Sequence, residues 1–177
     1  MSGTLTDLYT REPDSAGDTE PYSRFDTERE YRLALAKVIN LAKSRICILD
    51  HDLYGMGLDT VPACEALTRF FSMASTSELY IAVHDTAFLL NSSLRLRSVL
   101  QRHSQQVLIR QLPEAMIHLT DSHLLADGNH GVRRFHNSIP RGALFVSNPA
   151  EADGWWRRFN ELWEQCPAPI SLNNAPI

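Results

Sequence analysis

The strongest constraint in this chain is an alternation of two periodicities between residues 27 and 112. "TEREYRLALAKVINLAKS" repeats apolar residues at helical spacing through Tyr31, Leu35, Val38, Ile39 and Ala42, and Thr27 with Glu30 forms a capping box at its start. "RICILD" then reads as a short apolar strand. A helix follows in "TVPACEALTRFFSMAS", a strand in "ELYIAVHD", a helix in "NSSLRLRSVLQRHS" and a strand in "QVLIRQL". Strands joined through helices pair in parallel and need cover on both faces. The expectation is therefore an α/β domain with a mixed, largely parallel sheet flanked by helices on both faces. "MIHLTDSHLLAD", "GVRRF" and "GALFV" read as later strands that add an antiparallel portion. "SNPAEADGWWRRFNELWEQC" closes the domain as a helix, with Asn148 as cap, Pro149 at the first position and Glu151 at the third. Its stripe holds Trp155, Trp156, Phe159, Leu162 and Trp163; the adjacent Trp155 and Trp156 diverge by about 100°.

A chain of 177 residues with this alternation makes one domain with tails. Residues 1–24 are polar and without periodicity, and read as a disordered N-terminal arm. Residues 25–166 are the domain, and 167–177 are a Pro-punctuated flexible tail. No apolar run reaches the ~20 residues of a membrane helix, and no signal-peptide pattern opens the chain, so a cytoplasmic location without membrane contact is expected. The cysteines Cys47, Cys64 and Cys166 are scattered without metal spacing and read as reduced, buried thiols. No metal or other cofactor is expected. The net charge of -4 argues against nucleic acid as the partner. The only lysines are Lys37 and Lys43, so no motif can use a lysine beyond them.

In open α/β sheets functional residues gather beyond the carboxyl ends of strands. The first such end carries Asp50, His51 and Asp52. An apolar strand running into DxD resembles the opening of haloacid-dehalogenase-like phosphatases, which implies Asp50 as nucleophile and Asp52 as acid/base. Leu53-Tyr54 replaces the Gly-Thr of that pattern, and the later lysine is missing. The plainer reading is that Asp50 or Asp52 caps the following loop. The second end carries His84 and Asp85, able to orient an imidazole, to bind a metal with Asp50 and Asp52, or more simply to cap a helix. Arg110, inside an apolar strand, points to an anion or, more simply, a structural salt bridge. His130, Arg133, Phe135, Arg134 and His136 interleave basic and aromatic residues, which reads as a solvated arginine pair or as a nucleic-acid or phosphate contact.

The stretch "MIHLTDSHLLADGNHG" holds three histidines. On a continuous strand His118, Thr120 and Ser122 share one face, while Leu119, Asp121 and His123 share the other; His123 reads as a core or edge histidine. With the elements before it and the aromatic helix after it, this stretch resembles one half of the phospholipase D superfamily. The resemblance spans about residues 27–166 and is anchored on "LLADG", where Asp127 matches the aspartate of HxKxxxxD. Thr120 then stands at the histidine position and Ser122 at the lysine position. In that family a histidine from each half serves as nucleophile or acid, and lysines hold the phosphate. The resemblance therefore implies a degenerate half, a binding module rather than a phosphodiesterase. It implies a homodimer, because one half needs a mate, and a phosphate-containing ligand held near His118, Thr120, Ser122, Asp127, His84, Asp85, Arg110, Arg133 and Arg134. The alternative is a hydrolase using His118, or Asp50 and Asp52.

Overall fold

The computed structural model describes residues 20–174. In chain order the elements are β1 (Tyr22–Phe25), α1 (Glu28–Leu41), β2 (Arg45–Asp50), α2 (Val61–Met73) and β3 (Glu78–Val83). There follow α3 (Ala87–Asn91), α4 (Leu94–Arg102), β4 (Val107–Gln111), β5 (Ser122–Ala126), β6 (His130–His136), β7 (Ile139–Phe145) and α5 (Pro149–Gln165). The helix starts follow local chemistry. Thr27 Oγ1 accepts from the Glu30 amide at 3.1 Å, and Glu30 reaches back to the Thr27 amide at 3.3 Å. Asn148 Oδ1 accepts from the Glu151 amide at 3.2 Å at the head of α5.

The seven strands form one mixed sheet in the order β1-β7-β6-β5-β2-β3-β4. β2, β3 and β4 are parallel neighbours, as strand-helix-strand connections require. The other four pairings are antiparallel, so the sheet is not largely parallel. The reason is the final hairpins: β5, β6 and β7 are joined by short turns that reverse the chain. Asp127 (φ 57°) and Gly128 (φ 63°) make the first reversal, the left-handed backbone that Asp-Gly tolerates.

Side chains alternate across β2. Ile46 and Ile48 enter the larger core beneath α1, α2 and α4; Cys47 and Leu49 enter the smaller core beneath α5. Phe159 and Trp163 of α5 stack at 5.8 Å between centroids. Two boundaries differ from expectation. Residues 22–24, read as arm, pair with β7 as β1. The tail from 167 packs down: the Ile170 amide donates to Ile109 O at 2.8 Å, and buried Leu172 accepts from Arg97 and Gln101. The helix expected from an Asn or Ser cap at 91–93 begins at Leu94 after Ser93, with Asp59 Oδ1 accepting the Leu96 amide at 2.7 Å, and a further short helix, α3, precedes it. Residues 1–19 and 175–177 lie outside the described residues.

Candidate functional site

Antiparallel pairing sets the start of β5 beside the end of β2. His123 registers with Leu49, and Ser122 registers with Arg134 of β6. Asp50, Ser122 and Arg134 thus form one row on the α1 side of the sheet. They line a cleft of about 490 Å³ with Glu28, Tyr31 and Arg32 of α1 and the loop residues His51, Asp52 and Tyr54.

Asp50 is buried, and its bonds are filled. Oδ2 accepts the Leu53 amide at 2.7 Å and the Asp52 amide at 3.2 Å, and Oδ1 accepts the Ser122 hydroxyl. Leu53 is fully buried at φ 70°, a left-handed conformation that costs a leucine energy, and Asp50 holds that turn in place. Arg134 is also buried. Its Nη1 and Nη2 reach both oxygens of Glu28 at 3.0 and 2.7 Å, and its Nε donates to Ile139 O at 3.0 Å. Its guanidinium lies 5.0 Å from the Tyr31 ring centroid. Burial raises the Tyr31 pKa well above the ordinary value, with the Asp50 carboxylate adding to it. Arg32 Nε is buried without a hydrogen-bond partner.

His118 and Thr120 are not on a strand. Successive turns run through Met116, Ile117 and Leu119, whose amides donate to Pro113, Glu114 and Met116 carbonyls. Pro113 opens this coil, and the chain needs it to travel from edge strand β4 back to β5 beside β2. The strand therefore begins only at Ser122, and the expected shared face of His118, Thr120 and Ser122 does not form. His118 is exposed, with Nδ1 3.1 Å from Ala115 O. Thr120 offers its carbonyl to the Asn137 amide at 2.7 Å. His84 Nε2 meets Leu119 O at 3.2 Å, and its ring stands 5.7 Å from that of His51. Burial pushes the His84 pKa down. Asp52 Oδ1 accepts the Tyr54 amide, and Asp85 Oδ1 accepts the Ala87 amide. Both act as local caps.

Three candidates lie away from the cleft. Asp127 sits at the opposite end of β2, where it accepts the amides of Lys43, Ser44 and Arg45 at 2.8, 2.9 and 2.9 Å and the Ser44 hydroxyl at 2.8 Å. Burial alone would raise its pKa; these donors outweigh burial and hold it low. Five strand residues, about 17 Å, separate that end from Asp50. Among the described residues Arg110 makes no salt bridge of the expected kind. It donates to Trp163 O at 3.1 Å and stacks over that indole at 4.5 Å. Arg133 faces α5, its guanidinium 3.1 Å from the Trp155 ring centroid. Beside it, His123 is fully buried with neither ring nitrogen hydrogen-bonded, and Asp121 binds Arg158 through both oxygens at 2.6 and 2.9 Å.

Sequence reasoning missed Glu28, Arg32 and Tyr31 as cleft residues. They read as ordinary helix positions, and only the packing of α1 over β5 and β6 aims them at the cleft. Among the described residues no cluster of three or more His, Cys, Asp or Glu side chains is arranged to hold a metal, and no helix is long and apolar enough to cross a membrane.

Comparison with known proteins agrees with this geometry. A family model described as "Domain of unknown function (DUF7931)" matches residues 27–174. No curated protein matches by sequence. Among solved structures the chain is similar to Nuc, a phospholipase D family member from Salmonella typhimurium, with TM-score 0.61 and 12% identity over 84% of this chain and 97% of that one. It is similar to NucT from Helicobacter pylori, with TM-score 0.52 and 13% identity over 83% and 98%. It is also similar to TrmBL2, an archaeal chromatin protein whose structure shows a mode of DNA binding, with TM-score 0.62 and 11% identity over 86% of this chain and 55% of that one. These likenesses show a phospholipase D-like fold.

Proposed function

Starting from a chain that belongs to the DUF7931 family and has the phospholipase D-like fold, we propose that it is a binding module without phosphodiesterase activity. One observation carries this reading: the Ser122 hydroxyl, at the position where the resemblance calls for a phosphate-holding lysine, donates to the buried Asp50 carboxylate. A phosphodiester placed there meets a negative charge and an occupied hydroxyl, the reverse of what its transition state needs. Thr120 supplies no imidazole at the paired position. Arg134 is engaged by both oxygens of Glu28 and by two carbonyls.

The cleft retains donors. Arg32 Nε has no partner, and Asn137 and Ser138 line the same space. This supports a small phosphate-bearing ligand held by Arg32. Exposed Tyr54, Ile117 and Ile139 at this end of the sheet support a second copy facing the cleft. The likeness to a DNA-binding chromatin protein raises DNA as a second ligand class. Against it, Arg133 and Arg134 are engaged with Trp155 and Glu28 rather than offered to a backbone.

The purified chain is expected to leave bis(p-nitrophenyl) phosphate intact over hours. Turnover that disappears in His118→Ala or Asp50→Asn would overturn the silent reading. Inorganic phosphate is expected to shift the amide resonances of Arg32 and Asn137; an unchanged spectrum would remove phosphate from the proposal.

A further inference from the structure

Between α2 and α4 lies an open groove of about 640 Å³ that shares no residue with the cleft. Helical spacing builds it. Val61, Cys64 and Thr68 fall at i, i+3 and i+7 of α2, and Leu94, Ser98 and Val99 at i, i+4 and i+5 of α4. Each set therefore follows one face of its helix for about two turns. Both helices return from the carboxyl end of one parallel strand to the amino end of the next, so they run in the same direction. Val61 and Leu94 are 52% and 73% exposed, so apolar surface stands in water at their amino ends. Cys64 and Val99 are buried and form the floor. Two polar groups there are spent within the chain: Cys64 Sγ donates to Leu58 O at 3.4 Å and Thr68 Oγ1 to Cys64 O at 2.8 Å. Burial pushes the Cys64 pKa up to about 11, so the groove is not a reactive-thiol site.

The edge of the groove has one dominant sign. Arg69, Arg95 and Arg102 stand against the single acid Glu65. Asp59, before α2, is engaged with the Leu96 amide. Arg69 donates to Asn40 Oδ1 at 3.2 Å. Arg95 and Arg102 are exposed, and among the described residues neither is in a salt bridge. This is a local reversal of sign in a chain of net charge -4. A groove between two helices, apolar along its floor, fits a third helix laid in it, because side-chain ridges pack into such grooves. A flat lipid surface would touch Val61 and Leu94 but would not reach the buried floor. The arginine edge selects an occupant that carries carboxylates.

We infer that the α2–α4 groove docks an acidic amphipathic helix of a partner protein. Apolar side chains at i, i+4 and i+7 of that helix seat over Val61, Leu94 and Val99, and its carboxylates meet Arg95 and Arg102. The docked helix leaves the cleft open, so this inference does not rest on phosphate being held there.

The test is fluorescence anisotropy of the full chain with a labelled synthetic helix of about 14 residues, Leu at i, i+4 and i+7, Glu on its flanks and Ala between. Saturable binding is expected, and it should weaken as salt rises. Arg95→Glu with Arg102→Glu is expected to weaken binding about tenfold, as rim charges of the wrong sign. Val61→Asp with Leu94→Asp should weaken it at least about tenfold by removing the apolar contact. Both positions open their helices, where an aspartate is tolerated, and all four side chains are exposed, so the unfolding midpoint should not move. The same peptide with Lys for every Glu should bind at least about tenfold more weakly. No saturable binding, equal binding of the two peptides, or an affinity unchanged in both double variants would each overturn the inference. Anionic phospholipid vesicles that bind the chain through Val61 and Leu94 while the acidic peptide does not would also overturn it, and would assign the groove to a membrane surface.

Discussion

Ser122 with Arg134 and His123 with Arg133 are neighbours on the same two strands, one residue apart. Alternation sends the first pair to the open cleft and the second under α5. Both sides hold buried charge, yet they use it differently. On the α5 side Asp121 and Arg158 close the edge of a packed core in which Phe159 meets His123 edge-to-face at 6.0 Å. On the cleft side Asp50 and Arg134 stabilise a strained loop and a helix end around space that stays open. Richness in His and Asp therefore marks neither side as functional; the solvent space beside the charge does.

The largest expected effect breaks the closed side. Phe159→Ala removes a fully buried ring and should cost about 3–5 kcal/mol in urea denaturation. Tyr54→Ala, at the cleft mouth and 69% exposed, should stay within about 0.5 kcal/mol. Equal losses would mean that the two sides are packed alike. Next comes Asp50→Ala, which strands the Leu53 amide and the Ser122 hydroxyl and should cost about 2–3 kcal/mol. Asp50→Asn keeps an acceptor for Leu53 and should lose less. If the two variants match, Asp50 is not what holds the loop.

pH separates the sides further. Burial holds the His123 pKa below its ordinary 6.5. The unfolded chain then binds a proton that the native chain refuses, so His123 favours folding fully above pH 6.5 and loses that contribution as pH falls through 6.5 toward its folded value. His84 and His130 shift the same way, also through burial. Stability should fall by roughly 1.4 kcal/mol per pH unit for each such histidine within its own window. His123→Leu should flatten the slope by about one proton, and an unchanged slope would mean that His123 charges freely. Asp121 acts lower on the scale. Burial opposes its ionised form, but the Arg158 guanidinium bonded to both its oxygens outweighs burial and holds its pKa well below the carboxylate range, so its contribution is lost only in strong acid.

What was legible in the sequence was local. The Thr27 and Asn148 caps and the strands and helices of the parallel β2–β3–β4 unit each follow from a few adjacent residues. The phospholipase D-like fold was legible through the order of such elements. What was not legible depends on distant pairing: Arg134 finds Glu28 across 106 residues, and Ser122 finds Asp50 across 72. Ser122 was reached for its motif position, but no local signal could reveal that its hydroxyl faces a carboxylate. The strand period failed at residues 116–121 because Pro113 and the route back to β5 outweigh the alternation of apolar residues.

His118 shows the cost of that failure most plainly, and it carries the smallest expected effect. Strand parity placed its imidazole on one face with Thr120 and Ser122; the turn leaves it exposed, with one contact to a carbonyl three residues back. Removing an exposed ring with one local contact should change stability by less than about 0.5 kcal/mol. Among the described residues its other influence is electrostatic: positive charge on the His118 ring disfavours charge on His84. His118→Ala should therefore move the His84 titration slightly upward in an NMR pH series and leave the unfolding midpoint where it was. A loss of stability comparable to Asp50→Ala would place His118 inside the cleft framework after all, and the distinction between a lined cleft and a solvated loop would have to be redrawn.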